Sequence, residues 1–176
     1  MSAEYLFAPE SVPVANVVGE TKKYPVRRIF CVGRNYAEHA KEMGSEVDRE
    51  APWYFLKSAS ALVRSGATIP YALETKNFHY EMELVIALGA PAFRVSVDQA
   101  LNAVYGYATG LDMTRRDLQM AAREKQRPWD FGKDFEKSAI LGDIVRKENY
   151  AAIGPQRICL KVGETIKQDA HLTDLV

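Results

Sequence analysis

Short stretches in which apolar and polar side chains alternate outnumber those with helical spacing in this chain, so strands are expected to dominate. Val26 to Val32 (VRRIFCV) is expected to form a short apolar strand ending at Gly33. Asn35 then opens a helix, NYAEHAKEMG, with Glu38 completing a capping box and Gly44 as its stop. Residues 45–52 form a polar loop, and WYFLK (53–57) a second strand. After a Gly/Pro-punctuated stretch from Ser65 to Pro70 comes NFHYEMELVIALG, a strand that runs into five consecutive apolar residues. A short helix is expected over 98–103, and a glycine-containing strand over 104–111 (VYGYATGL) that delivers Asp112. Thr114 and Asp117 form a second capping box, for a helix reaching about Lys125 that Arg127-Pro128 breaks. Residues 138–147 and 157–162 complete the strands, with a hairpin turn at 162–165. With few, short helices the class is α+β, mainly β, and not a doubly wound sheet. Residues 1–25, with prolines at 9, 13 and 25, are expected to wrap as a leader onto one domain over 26–176.

The composition narrows the function classes. Lysine plus arginine (23) equals aspartate plus glutamate (23) within 176 residues, which gives no electrostatic case for nucleic acid or an anionic membrane surface. No apolar run approaches the roughly 20 residues of a membrane span. The start MSAEYLFAPE has neither the basic nor the apolar part of a signal peptide. Cys31 and Cys159 lie far apart in apolar strand contexts, so buried reduced thiols are expected. These features suit a cytoplasmic protein that handles small molecules.

The chemistry centres on Glu81 and Glu83. On a strand they share one face with His79, while Tyr80, Met82, Leu84 and Ile86 share the other. Two carboxylates at the root of an apolar strand repel each other and resist burial, and a hard divalent cation is an economical counter-charge. A solvated sheet face is the competing explanation. Asp112 adds a third carboxylate where a separate strand opens into a loop. Three carboxylates suit Mg²⁺ or Mn²⁺ and leave about three positions for water and substrate, whereas zinc would call for a Cys/His cluster. His39 and Glu42, at i and i+3, can meet as an imidazole with an orienting carboxylate, or be a surface ion pair. Lys57 ends WYFLK and Lys133 lies in the polar-aromatic loop WDFGKDF, both positions where surface charges are common. Arg115, Arg116 and Gln119 are placed to hold an organic anion near Asp112, or to face solvent.

VGRNYAEHAKEMG, YFLK, NFHYEMELVIALG, YGYATGLDMTRRDLQ and RPWDFGKDF, in that order, resemble the fumarylacetoacetate hydrolase family, closest to its small bacterial acylpyruvate hydrolases. The resemblance spans about residue 24 to the C-terminus. It implies a mixed β-sandwich roll, commonly a homodimer, with Mg²⁺ or Mn²⁺ on Glu81, Glu83 and Asp112. It further implies a water-activating dyad of His39 and Glu42, and Lys133 contacting the substrate near the metal. Arg116, Gln119 and Lys57 are the remaining expected substrate contacts. Two departures stand out. The usual F-L-K-P-S is Phe55-Leu56-Lys57-Ser58-Ala59 here, and no counterpart of the family's G-T-P-x-G-V loop occurs before Val176. The expected catalytic domain therefore lacks its usual C-terminal part.

The implied reaction is hydrolysis of a carbon–carbon bond in a 2,4-dioxo acid, with fumarylpyruvate the expected substrate. The same residues would serve oxaloacetate decarboxylation or isomerisation of an unsaturated oxo-diacid. A non-catalytic 2-oxo-acid binder is a further alternative.

Overall fold

The computed structural model describes residues 4–33, 35–36, 51–150 and 152–175. The helix expected over 35–44 falls almost wholly outside them. Among the described residues there are thirteen strands and three short α-helices, in keeping with the expected α+β, mainly β class.

The central sheet is built on β8 (Val104–Asp112), whose burial alternates along its length as the period-two pattern requires. β7 (Met82–Leu88) pairs antiparallel to one edge of β8. β10 (Ala139–Leu141) and β11 (Val145–Arg146) pair antiparallel to its other edge. β5 (Leu62–Arg64) extends the sheet parallel to β10. The single strand expected over 138–147 is thus two. Between them Gly142 donates its N–H to Thr109 O at 2.8 Å, and Ile144, 1% exposed, turns into the core. The glycines of β8 do allow close approach: a Cβ on Gly106 would stand 2.4 Å from Val145 O.

Four smaller pairings surround this sheet. β1 (Val14–Ala15) pairs with β2 (Tyr24–Pro25), and Ala15, Val17 and Val26 pack with Ala87, Ala108, Leu141 and Ile144 in the core. β3 (Ile29–Gly33) pairs with β4 (Trp53–Lys57). β3 begins later than Val26 because that residue's N–H is taken by Pro13 O at 2.8 Å. β6 (Phe78–His79) pairs with β9 (Thr114–Arg115), so NFHYEMELVIALG holds two strands with Tyr80-Glu81 between them. β12 (Arg157–Val162) and β13 (Thr165–His171) form the expected hairpin.

The helices are α1 (Val97–Asn102), α2 (Arg116–Glu124) and α3 (Asp130–Lys133). α1 has a complete capping box from Ser96 and Gln99. α2 lacks the capping box expected from Thr114, because Thr114 lies in β9 and its hydroxyl donates to Asp112 O at 3.0 Å. Asp117 instead accepts from the Thr75 hydroxyl and the Lys76 N–H, tying the segment before β6 to the first turn of α2. The stretch around Lys133, expected to be a loop, is the one-turn helix α3. Both cysteines are free and half-buried rather than fully buried, and burial pushes the Cys31 thiol up to about 12.

Candidate active site

The β7/β8 ladder brings the first carboxylates together. Met82 stands opposite Leu111, and Asp112 donates its N–H to Glu81 O at 2.8 Å, so Glu81 and Asp112 are neighbours across the end of the ladder. Glu81, Glu83, Val85 and Ala87 alternate onto one face, where Val85 and Ala87 join the core. Glu81 is 8% and Asp112 7% exposed, which excludes a solvated sheet face.

Two lysines enter this carboxylate pair from different elements. Lys133, at the end of α3, donates to Glu81 Oε2 (2.6 Å), Asp112 Oδ2 (2.7 Å) and Thr114 Oγ1 (2.8 Å), which occupies all three ammonium protons. Lys57, at the end of β4, donates to Met113 O (3.1 Å) and to Lys133 O, and its ammonium lies 2.8 Å from Asp112 Oδ1. Both lysines are buried rather than on the surface. Their ammonium groups also lie over aromatic rings, Lys133 over Phe55 (4.8 Å) and Lys57 over Phe135 (5.5 Å). Arg116, on the first turn of α2, pairs with Glu81 Oε1 and donates to Gln119. The resemblance made Lys57, Arg116 and Gln119 substrate contacts; here Lys57 and Arg116 are joined to carboxylates and Gln119 to Arg116.

Close packing of α3 on α2 sets the position of Lys133. A Cβ on Gly132 would lie 2.8 Å from the backbone N of Gln119, so only glycine lets the helices meet this closely. Thr114 was missed as a site residue. The available signal was period two, since it lies two positions beyond Asp112 in extended backbone.

The three carboxylates experience different fields. Burial alone would raise Glu81, but Lys133 and Arg116 outweigh it and bring it down to about 2. Burial pushes Glu83 up to about 8, reinforced by Glu81 and Asp112. Burial also raises Asp112, with Lys133 and Lys57 offsetting part of the effect. Burial lowers the Lys57 amine, whereas at Lys133 the attraction of Asp112 and Glu81 overcomes burial and raises it.

Among the described residues, no three His, Cys, Asp or Glu side chains stand together closely enough to hold an ion as arranged. The Lys133 ammonium lies between Glu81 and Asp112 instead. The donor chemistry nonetheless fits a hard divalent cation. Glu83 is half-buried beside two like charges, and Asp112 Oδ1 is buried without a hydrogen bond despite its nearness to Lys57. His39 and Glu42 lie outside the described residues.

The cluster opens into a cavity of about 360 Å³, a volume suited to a small organic acid. Its walls are mostly apolar, with Ile29, Val85 and Leu141 among them, and Trp129 and Arg123 also line it. Trp129 packs against Trp53 (5.4 Å between ring centroids) and Phe55 (6.0 Å).

A buried acid–lysine cluster at one end of a small-molecule cavity, held by a mainly β fold, is accompanied by a match over most of the chain. Residues 28–176 match the model of the fumarylacetoacetate hydrolase C-terminal region, and the chain belongs to that family. It is 50% identical over 136 residues to a fumarylpyruvate hydrolase from a Ralstonia species, covering 76% of this chain and 70% of that protein. It is 35% identical over 150 residues to a mitochondrial oxaloacetate tautomerase from Bos taurus, covering 85% of this chain and 67% of the relative. Its fold also matches the crystal structure of fumarylpyruvate hydrolase from Pseudomonas aeruginosa in complex with Mn²⁺ and pyruvate. That match has a TM-score of 0.88 and 43% identity, over 98% of this chain and 76% of the other.

Proposed function

We propose that this chain is a metal-dependent hydrolase that cleaves the carbon–carbon bond of an acylpyruvate, converting fumarylpyruvate and water to fumarate and pyruvate. The observation that carries this reading is the buried Glu81–Asp112–Lys133 cluster, with Glu83 beside it, at the end of a cavity sized for a small acid. The similarity to fumarylpyruvate hydrolases supports the choice of substrate.

Glu81, Glu83 and Asp112 would hold Mg²⁺ or Mn²⁺, and the Mn²⁺ of the Pseudomonas aeruginosa complex makes Mn²⁺ the first ion to try. When bound, the cation supplies Lewis-acid polarisation at the 2-oxo-carboxylate end of the substrate. The dyad that the resemblance implies, His39 with Glu42, would take a proton from water, and the water oxygen bonds to the carbonyl carbon of the acyl group. The bond from that carbon to the pyruvyl methylene breaks. Its electron pair passes to the pyruvyl fragment as an enolate, and protonation there gives pyruvate. Lys133 stabilises negative charge as it develops, and Lys57 and Arg116 hold Asp112 and Glu81 in place.

The oxaloacetate tautomerase relative favours one second reading, enolisation of oxaloacetate at the same residues. Among the described residues no helix is long and apolar enough to cross a membrane, and the proposed setting is cytoplasmic breakdown of aromatic-ring products. The proposed assembly is a homodimer, supported by Ile86 and Leu88 of β7, which are 52% and 54% exposed.

Loss of the ultraviolet absorbance of fumarylpyruvate, followed with Mn²⁺ and then with EDTA, tests the reading. Turnover that EDTA removes is expected. Turnover of oxaloacetate alone would transfer the assignment to the second reading.

A further inference from the structure

Glu81 stands just before β7 and Glu83 lies within it, so the placement of both carboxylates depends on how this strand is held. Among the described residues β8 is its only strand partner, and the other edge of β7 carries backbone groups that the sheet itself does not pair. A side chain takes up one of them. Met82, between the two glutamates, donates its N–H to Gln168 Oε1 at 2.6 Å, across 86 positions of sequence. The carbonyl of the same peptide, Glu81 O, accepts from Asp112 N–H at 2.8 Å. The C=O and N–H of a trans peptide point in opposite directions, so the Glu81–Met82 peptide is gripped by the end of β8 on one side and by β13 on the other.

The β12/β13 hairpin is shaped to deliver this acceptor. Leu160 pairs with Gln168 and Lys161 with Ile166, so the register passes over Lys167 as a β-bulge. Directly paired residues share a face of the ladder, while neighbours along a strand lie on opposite faces. Ile166, opposite exposed Lys161, is itself exposed, whereas Gln168, opposite buried Leu160, is half-buried. Without the extra residue, strict alternation would put Gln168 on the same exposed face as Ile166. β12 packs against β7, and the bulge turns Gln168 to the face that carries Leu160.

We propose that Gln168 is a positioning residue for the metal-binding carboxylates: its amide oxygen stands in for a neighbouring strand and fixes the peptide that joins Glu81 to the start of β7. The proposal rests on the metal-dependent hydrolase reading above. Gln168 acts through the Met82 backbone and not by contact with the cation or the substrate. Removing an outer partner that holds ligands in place costs about 10- to 100-fold in metal affinity.

The test is isothermal titration of Mn²⁺ into wild type and Gln168→Leu, with hydrogen exchange of the Met82 amide followed by NMR in the metal-free proteins. The expected result is a Kd for Mn²⁺ raised about 10-fold and a Met82 amide that exchanges at least about 10-fold faster, with the circular dichroism spectrum unchanged. Gln168→Glu keeps an acceptor at the same reach. It should leave the Met82 amide protected and bind Mn²⁺ no more than about threefold more weakly than wild type. Gln168→Asn, one methylene shorter, carries the same expectation as Gln168→Leu and decides the matter if Gln168→Leu is unfolded. Wild-type Mn²⁺ affinity in the folded variant, or an equal weakening in Gln168→Glu, would overturn the proposal while leaving the hydrolase reading intact. A wild-type protein that binds no Mn²⁺ would overturn the metal-dependent reading, and the proposal with it.

Discussion

Glu81 and Glu83 are two residues apart, yet their surroundings give them opposite characters. Glu81 is neutralised by Lys133 and Arg116, whereas half-buried Glu83 feels the like charges of Glu81 and Asp112. Glu83→Gln replaces a carboxyl whose charged form burial, Glu81 and Asp112 already disfavour, so the metal-free variant should melt no lower than wild type. It should nevertheless lose the rise in melting temperature that Mn²⁺ gives wild type, and at least about 100-fold in turnover. Differential scanning fluorimetry with Mn²⁺ or EDTA, beside the absorbance assay, checks both. Lys57 has the opposite role. Lys57→Met strips a counter-charge from Asp112 and leaves Met113 O and Lys133 O without this donor, at an expected cost of about 3–5 kcal/mol in urea unfolding. The sequence made Glu81, Glu83 and Asp112 legible as candidates because carboxylates at the edge of apolar strands are conspicuous. It did not reveal that Lys57 and Lys133 are buried. Their burial depends on acidic partners 55 and 21 or more positions away in sequence, beyond any local periodicity.

Between elements, the contact of α3 with α2 fixes where Lys133 points. Gly132→Ala would push a methyl group against the Gln119 backbone, which cannot rotate away as a side chain would. The expected loss is about 1–3 kcal/mol, with activity falling as Lys133 moves. Asp117 joins the start of α2 to the segment before β6. The Thr75 hydroxyl is the largest influence holding its carboxyl below the ordinary value of 3.8, followed by the Lys76 N–H. A lowered folded value gives stability that is complete above the ordinary aspartate range and is lost as pH falls through the folded value. The stability difference between wild type and Asp117→Asn should therefore shrink as pH drops below about 4, as read by urea unfolding across pH. At this scale the sequence showed that α2 exists and roughly where it ends. It assigned the wrong cap, because Thr114 and Asp117 match the local spacing but are engaged elsewhere, the first by the nearby Asp112 O and by Lys133, the second by Thr75 and Lys76.

For the whole molecule, the α+β class was legible because period-two stretches and glycine-bearing turns are local signals. The order of strands around β8 was not, since it depends on pairings such as β5 with β10 that join residues far apart in the chain. The homodimer proposal predicts a solution mass of twice 19.7 kDa by light scattering after size exclusion. Exchanging Ile86 and Leu88 for lysines should shift it towards the monomer. The central claim, hydrolysis of a carbon–carbon bond, is most directly tested by incubating fumarylpyruvate and the Mn²⁺-loaded protein in ¹⁸O-enriched water and analysing the products by mass spectrometry. The expected result is fumarate carrying one ¹⁸O atom in its new carboxylate, together with pyruvate. Release of carbon dioxide, or an isomer of the substrate without water-derived oxygen in a new carboxylate, would contradict it.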